Sequence, residues 1–293
     1  MLDYTHLETL AAVLRSGSFE VAAAQLGLTQ SAVSQRIRHL EERIGTALVN
    51  RAQPCTGTAA GLRLAHHAED VALLESRLTD TLPRPAARLR MALNADSLAT
   101  WVLPALAPHR DLLFDLVLDD QDHSADWLKR GEVSGAITGT AQPPQGCNSV
   151  ALGALRYVAT ASPAFLARHF AHGVTPQALA QAPMLTFNRK DRLQLNWLHT
   201  RFGPMPMPPT HLLPSTQGFA EAALLGLGWG MNPEPLVRPH LARGTLVPLC
   251  PQATLDTPLF WQTSRMMAPA LAPVTRSIRD AAATALIAPE QST

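Results

Sequence analysis

Apolar residues recur at helical spacing three times within the first 45 positions. Leu7, Leu10, Ala11 and Leu14 share one face, and Thr5 with Glu8 three residues later reads as a capping box that opens this helix. Ser16-Gly17 ends it. Ser18 then caps a second helix, with Glu20 in its positive first turn and Phe19, Ala22, Ala23 and Leu26 as the buried stripe. Gly27-Leu28 makes a tight turn and Thr29 caps a third helix. There Val33, Ile37, Leu40 and Ile44 follow one another at spacings of four, three and four, so all face inward.

Beyond these helices the pattern changes. Ala47-Leu48-Val49 fits a short strand, and Gln53–Gly57 is rich in turn residues; together they predict a two-stranded wing or a plain connecting loop. Residues 61–82 read as one uninterrupted helix. Leu64, Val71 and Leu78 lie seven apart, with Leu74, His67 and Thr81 at the other seam positions, which fits pairing with a second copy or packing within one chain. A stiff Pro-containing linker, 82–87, follows.

From Leu89 onward strand-like and helical runs alternate, predicting an α/β domain with parallel strands. Expected strands are 89–95, 115–120 and 134–138. Pro104 places the next helix start near Leu103, which leaves residues 94–101 as a loop at the carboxyl end of a strand. The expected organisation is a helical unit with a wing over 1–60, a linker and dimerisation helix over 61–87, and an α/β domain over 88–293.

The third helix carries the sharpest chemistry. Opposite its apolar stripe stand Ser31, Ser34, Gln35 and Arg38. Hydroxyls and an amide can meet base edges in the major groove of double-stranded DNA, while arginine can meet guanine or phosphate. Gln30 and Ser31 sit at the helix N-terminus, where free N–H groups attract a phosphate. Arg36 belongs to the same arginine-rich stretch, and Arg51 on the wing is placed for the DNA backbone or minor groove. A solvated face on a small helical bundle is the bland alternative; the preceding helix and the Gly27 turn favour helix-turn-helix spacing.

Composition narrows the setting. Apolar residues make up 46% and charged residues 16%, which argues against disorder. No stretch approaches the roughly 18 apolar residues of a membrane span, and Met1–Tyr4 shows no export signal. Three distant cysteines (Cys55, Cys147, Cys250) give neither a disulfide framework nor a zinc site and suit the cytoplasm. A net charge of only +1 means that DNA binding rests on a few well-placed charges, doubled by self-association as a dimer or tetramer.

The run Phe19–Glu41 closely resembles the DNA-binding signature of LysR-type transcriptional regulators. Val-Ser-Gln-Arg-Ile at 33–37, Asn-Ala-Asp-Ser-Leu-Ala-Thr-Trp at 94–101 and Gly-Leu-Gly-Trp-Gly-Met-Asn-Pro at 226–233 further resemble the subfamily that controls arginine and lysine export. One departure stands in the wing, where Thr56 and Gly57 replace the usual basic residue and proline. The resemblance implies a winged helix-turn-helix, a linker helix and a two-lobed, periplasmic-binding-protein-like α/β effector domain. Lobe I would comprise 88–161 and 266–293, with the last helix (about 269–287) returning to it, and lobe II 162–265. It also implies RNA polymerase as a further partner, and no cofactor.

Read residue by residue, the sensing domain offers hydroxyls at Ser97 and Thr100 beside a helix start for a ligand carboxylate, and Trp101 as an apolar wall or cation–π platform. Asp119, Asp120 and Asp122 cluster near one strand end, and Asp122 is the candidate partner of an amino group; all three as solvated loop acids is the alternative. Thr138, Ser215 and Thr216 offer further hydroxyls. A basic amino acid is the expected effector, an organic or aromatic acid the runner-up, and an architectural DNA binder without effector a third reading. Catalysis is not expected. Gly226–Gly230 lacks the Gly-Lys-Ser/Thr of a phosphate loop, His66-His67 make no spaced metal set, and there is no Gly-x-Ser-x-Gly elbow.

Overall fold

The computed structural model describes residues 2–76, 86–119, 124–251 and 253–288. Three helices open the fold: α1 (Tyr4–Ser16), α2 (Phe19–Leu26) and α3 (Gln30–Ile44). Ser18 and Thr29 cap α2 and α3 as their spacing predicts, whereas α1 is capped by Asp3, whose carboxylate accepts from Thr5 N. The expected cap at Thr5 is therefore displaced by two positions. The competing acceptor is an aspartate, which also favours a positive helix end. Leu7, Leu10, Val33, Ile37 and Leu40 are completely buried and form the centre of this unit.

The wing is real: β1 (Val49–Asn50) pairs antiparallel with β2 (Thr56–Gly57). Glu41 of α3 holds it in place, accepting from Leu48 N at 2.9 Å and Val49 N at 3.3 Å. Helix α4 (Ala59–Ser76) then packs so closely that a Cβ on Gly61 would lie 2.0 Å from Leu48 O. Two seam residues of this helix pack within the chain while staying half-buried: Leu64 on the helix-turn-helix core and Leu74 on the core of the following domain, where Leu73 is fully buried. Leu78, Thr81 and most of the expected 82–87 linker lie outside the described residues.

The remaining chain forms β3 (Ala87–Leu93), α5 (Ala95–Ser97), a wide π-turn (Leu98–Val102), α6 (Leu103–Leu106), β4 (Leu112–Leu118), α7 (Ser124–Lys129) and β5 (Gly135–Thr138). Next come β6 (Cys147–Ala161), α8 (Pro163–His169), α9 (Pro176–Gln181), β7 (Met184–Thr186), α10 (Leu193–Phe202), β8 (Thr210–Leu212) and α11 (Thr216–Leu224). Last are β9 (Gly230–Pro233), α12 (Glu234–Arg243), β10 (Val247–Pro248), β11 (Thr254–Ser264) and α13 (Ala272–Ala285).

Three expectations do not hold. The sheet is mixed rather than parallel: β3 pairs in parallel with β4 and β5, but β11 lies antiparallel between β5 and β6. The long β6–β11 ribbon continues into the second lobe, where β6 also pairs with β9 and β10. Residues 94–101 are not a loop. Asn94 caps a helix eight residues earlier than expected, accepting from Ser97 N at 3.2 Å. The π-turn makes this possible, because a widened turn tolerates the N–H that Pro104 lacks and gives room to its ring. The strand expected at 115–120 begins earlier, at Leu112.

The last helix, α13, packs on α6 and β6. Val274, Ile278 and Ala282 of α13 are buried, Trp261 Nε1 donates to Thr275 Oγ1 at 2.9 Å, and Ile287 bridges to Ala154.

Candidate nucleic-acid interface and effector cavity

On α3, Gln30, Ser31, Gln35 and Arg38 are exposed and Ser34 is half-buried. Ser31, Ser34, Gln35 and Arg38 fall at i, i+3, i+4 and i+7, one face of the helix. Thr29 and Ser31 share a hydroxyl contact at 3.0 Å, which presets the first turn. Arg36 is turned toward the fold instead: Nη1 donates to Thr9 Oγ1 of α1 at 3.3 Å. Arg51 is exposed but tethered, 3.7 Å from Glu41 Oε2 and with its guanidinium 5.3 Å from the Phe19 ring centroid. Glu41 thus fixes the wing backbone and the wing's arginine with one carboxylate.

A cavity of about 410 Å³ lies where β3 and β4 end and the second lobe begins. From the first lobe come Asn94, Asp96, Leu118 and Asp119; from the crossing strand and second lobe come Tyr157, Phe187, Arg189, Lys190, Asp191, Gln194, Thr216, Phe219 and Met231. Asp96 is its most organised group. Its two carboxylate oxygens each accept a hydroxyl at 2.7 Å, one from Tyr157 and one from Thr216. Asp191 is fixed by Phe187 N and Leu193 N, and Asp119 accepts from Trp127 Nε1 at 2.8 Å. Arg189 and Lys190 are exposed beside the opening. The cavity therefore combines fixed carboxylates with two cations, which suits a zwitterion carrying an additional positive charge.

Residues 4–62 match the family model of the bacterial regulatory helix-turn-helix protein, lysR family, and residues 83–283 match the LysR substrate binding domain. The chain belongs to the LysR family of transcriptional regulators.

Within the LysR family, the HTH-type transcriptional regulator ArgP of Pseudomonas aeruginosa is 44% identical over 286 residues, covering 95% of each chain. The crystal structure of ArgP from Mycobacterium tuberculosis superposes with a TM-score of 0.81 at 42% identity, over 99% of this chain and 100% of that one. Full-length LysG from Corynebacterium glutamicum, solved with bound effector Arg, gives a TM-score of 0.68 at 36% identity, over 98% of this chain and all of that one. The relatives are regulators, not enzymes, in keeping with the absence of a catalytic motif in the sequence.

Among the expected effector residues, the structure brings Thr216 to the cavity and leaves five others elsewhere. Ser97 is completely buried on the inner side of the helix that also carries Asp96, and Trp101 is 2% exposed within the core. Thr100 donates to the Asp96 carbonyl at 2.6 Å, a bond within its own helix. Thr138 donates to Thr140 O, and Ser215 is the N-cap of α11. The reason is common to the first three. Placed in a helix rather than a loop, positions 97 and 101 turn inward while 96 faces the lobes' junction. Asp122 lies outside the described residues. Sequence reasoning missed Asp96 and Tyr157; Asp96 stood inside the 94–101 motif, but Tyr157 gave no local signal, since it meets Asp96 only through tertiary packing. Gly228 and Gly230 are packing glycines, because a Cβ there would lie 2.7 Å from Leu185 and 2.5 Å from Phe219.

Proposed function

We propose that the cavity is the effector site and that its effector is a basic amino acid, with arginine and lysine the first candidates. The observation that carries this reading is the Asp96 carboxylate, oriented on the cavity wall by the Tyr157 and Thr216 hydroxyls. A guanidinium or ammonium group would meet Asp96. The ligand carboxylate would sit toward Arg189 and Lys190. LysG with bound Arg supports the chemistry.

On this reading the protein works in the cytoplasm as a homo-oligomer, reading DNA through Ser31, Ser34, Gln35 and Arg38 with Gln30 on a phosphate and Arg51 beside the wing. Its regulated gene is an amino-acid exporter. Among the described residues, no helix is long and apolar enough to cross a membrane. The test is a calorimetric titration of the purified protein with L-arginine, L-lysine, L-glutamate and benzoate. Binding of the basic pair alone is expected. Binding of glutamate or benzoate in their place would overturn the assignment and move the effector to the organic acids.

A further inference from the structure

Helix α4 joins the DNA reader to the sensing domain, and its contact with the latter is polar and buried. Ser134, the residue before β5, is 2% exposed and donates its hydroxyl to Asp70 Oδ1 at 2.5 Å. The same hydroxyl lies 3.3 Å from Nε2 of His66, which is 5% exposed. One turn away on α4, Glu69 stands 3.5 Å from Arg15 in the last turn of α1 and 4.0 Å from Arg88 on β3. Burying this many polar groups at a junction is unfavourable unless their partners stay in register, so the cluster fixes one position of α4 on the first lobe. Leu73 is buried in the same hydrophobic core as Leu89 and Met91 of β3.

The cluster is also connected to the cavity. Asp119, on the cavity wall, accepts from Trp127 Nε1 at 2.8 Å. The Trp127 ring lies under the guanidinium of Arg130 at 4.7 Å and that of Arg90 at 5.9 Å. Arg130 follows α7 directly and leads to Ser134, whose N–H donates to Arg90 O at 3.0 Å. One short helix and one short turn thus connect Asp119 to the hydroxyl that holds Asp70.

We infer that Asp119, Trp127, Ser134 and the Asp70–His66 pair form the link by which occupancy of the cavity sets the linker helix, and hence the DNA reader. The inference rests on the proposed reading of the cavity as the effector site. Trp127 and Ser134 are positioning residues: the first ties α7 to the cavity, and the second clamps α4.

Two variants test it. Trp127→Phe keeps an aromatic ring for the two arginines but loses the indole N–H together with the larger bicycle, and Ser134→Ala removes only the hydroxyl. Two readouts are needed: hydrogen exchange of α4 in the ligand-free protein, and affinity for a duplex selected from random sequence by the wild type, with and without saturating L-arginine. Ser134→Ala is expected to speed exchange in α4. In both variants the ratio of DNA affinities with and without arginine should collapse to within about twofold of one, from a wild-type factor of roughly 5–150. The arginine dissociation constant of Ser134→Ala should stay close to that of the wild type, a combination that general loosening of the sensing domain would not produce. Unchanged protection of α4 in Ser134→Ala, or a wild-type ratio in Trp127→Phe, overturns the inference. A wild type that ignores arginine counts against the cavity reading instead, and exchange of α4 still decides whether Ser134 is the clamp.

Discussion

Thr216 donates its hydroxyl to Asp96 across 120 residues of chain, joining the first turn of α11 to the first turn after β3 at 2.7 Å. The bond crosses from one lobe to the other, and with the Tyr157 hydroxyl it orients a carboxylate that faces the cavity. Asp96→Asn should therefore weaken arginine binding by about 10- to 100-fold, the range expected for a lost charge-assisted contact of roughly 1.5–3 kcal/mol. Tyr157→Phe and Thr216→Val should each cost less, because the charge remains. Calorimetric titration checks the ranking, and equal losses for all three would show that orientation rather than charge is what matters.

At the DNA face the two kinds of contact separate by their salt dependence. Gln35→Ala should lower affinity for the selected site by about 1–3 kcal/mol while leaving non-specific binding nearly unchanged. Arg38→Ala, if its partner is a phosphate, should weaken all duplexes alike and reduce the salt slope by about one. Anisotropy titrations at several salt concentrations distinguish them.

Glu41 holds the wing by two backbone N–H groups and stands beside Arg51. Glu41→Ala should destabilise the helix-turn-helix by about 1–3 kcal/mol, because two partly buried donors lose their acceptor. DNA affinity should fall further than stability alone accounts for, since Arg51 loses its tether. Urea unfolding of the variant, paired with DNA titration, measures both.

Gly61 gives a sharper case. A methyl group there would meet the Leu48 carbonyl at 2.0 Å, and the nearest atoms are all Leu48 backbone. Gly61→Ala should thus separate α4 from the wing and cost more than about 2 kcal/mol, against the usual small gain from replacing a helical glycine. A melting temperature equal to or above that of the wild type would contradict this packing.

Two carboxylates respond to pH with opposite sign. A hydrogen bond from Arg238 holds Glu234 below its ordinary value of 4.5, so its contribution is complete above that pH and is lost as pH falls through the lowered value. Exposure to solvent keeps it below about 1 kcal/mol. Burial pushes Asp70 above its ordinary 3.8, against the opposing pull of His66 and Ser134. The folded state then holds the Asp70 proton more tightly, and stability from this group declines as pH rises from about 3.8 through the raised value. Asp70→Asn keeps an acceptor for Ser134 and removes the buried charge, so its melting temperature should exceed that of the wild type at neutral pH, with the gap narrowing toward about pH 4. A gap that widens on acidification would reverse the sign assigned to Asp70.

Structure is most legible in this sequence where it is local. Ser18 and Thr29 cap their helices, Gly17 and Gly27 end the preceding ones in the left-handed conformation, and Val33, Ile37 and Leu40 are buried as their spacing requires. Legibility is lost where two local signals compete, as at Pro104, whose position favours a helix start that the Asn94 cap and the π-turn override. That single shift moved Ser97 and Trp101 from the expected ligand loop into the core. Long-range pairing was the other gap. Nothing near Tyr157 announces Asp96, and the antiparallel β11 between β5 and β6 has no counterpart in a pattern of alternating strands and helices.

The place of β11 has a consequence for the order in which this protein is made. Until residues 254–264 leave the ribosome, β5 has no neighbour on its outer side and β6 has none toward β5, so the sheet exists as two separate pieces. The DNA-reading helices, complete by Ile44, can fold hundreds of residues earlier. A chain cut short before β11 would carry a finished DNA reader attached to an unfinished sensor, able to occupy its sites and deaf to its signal.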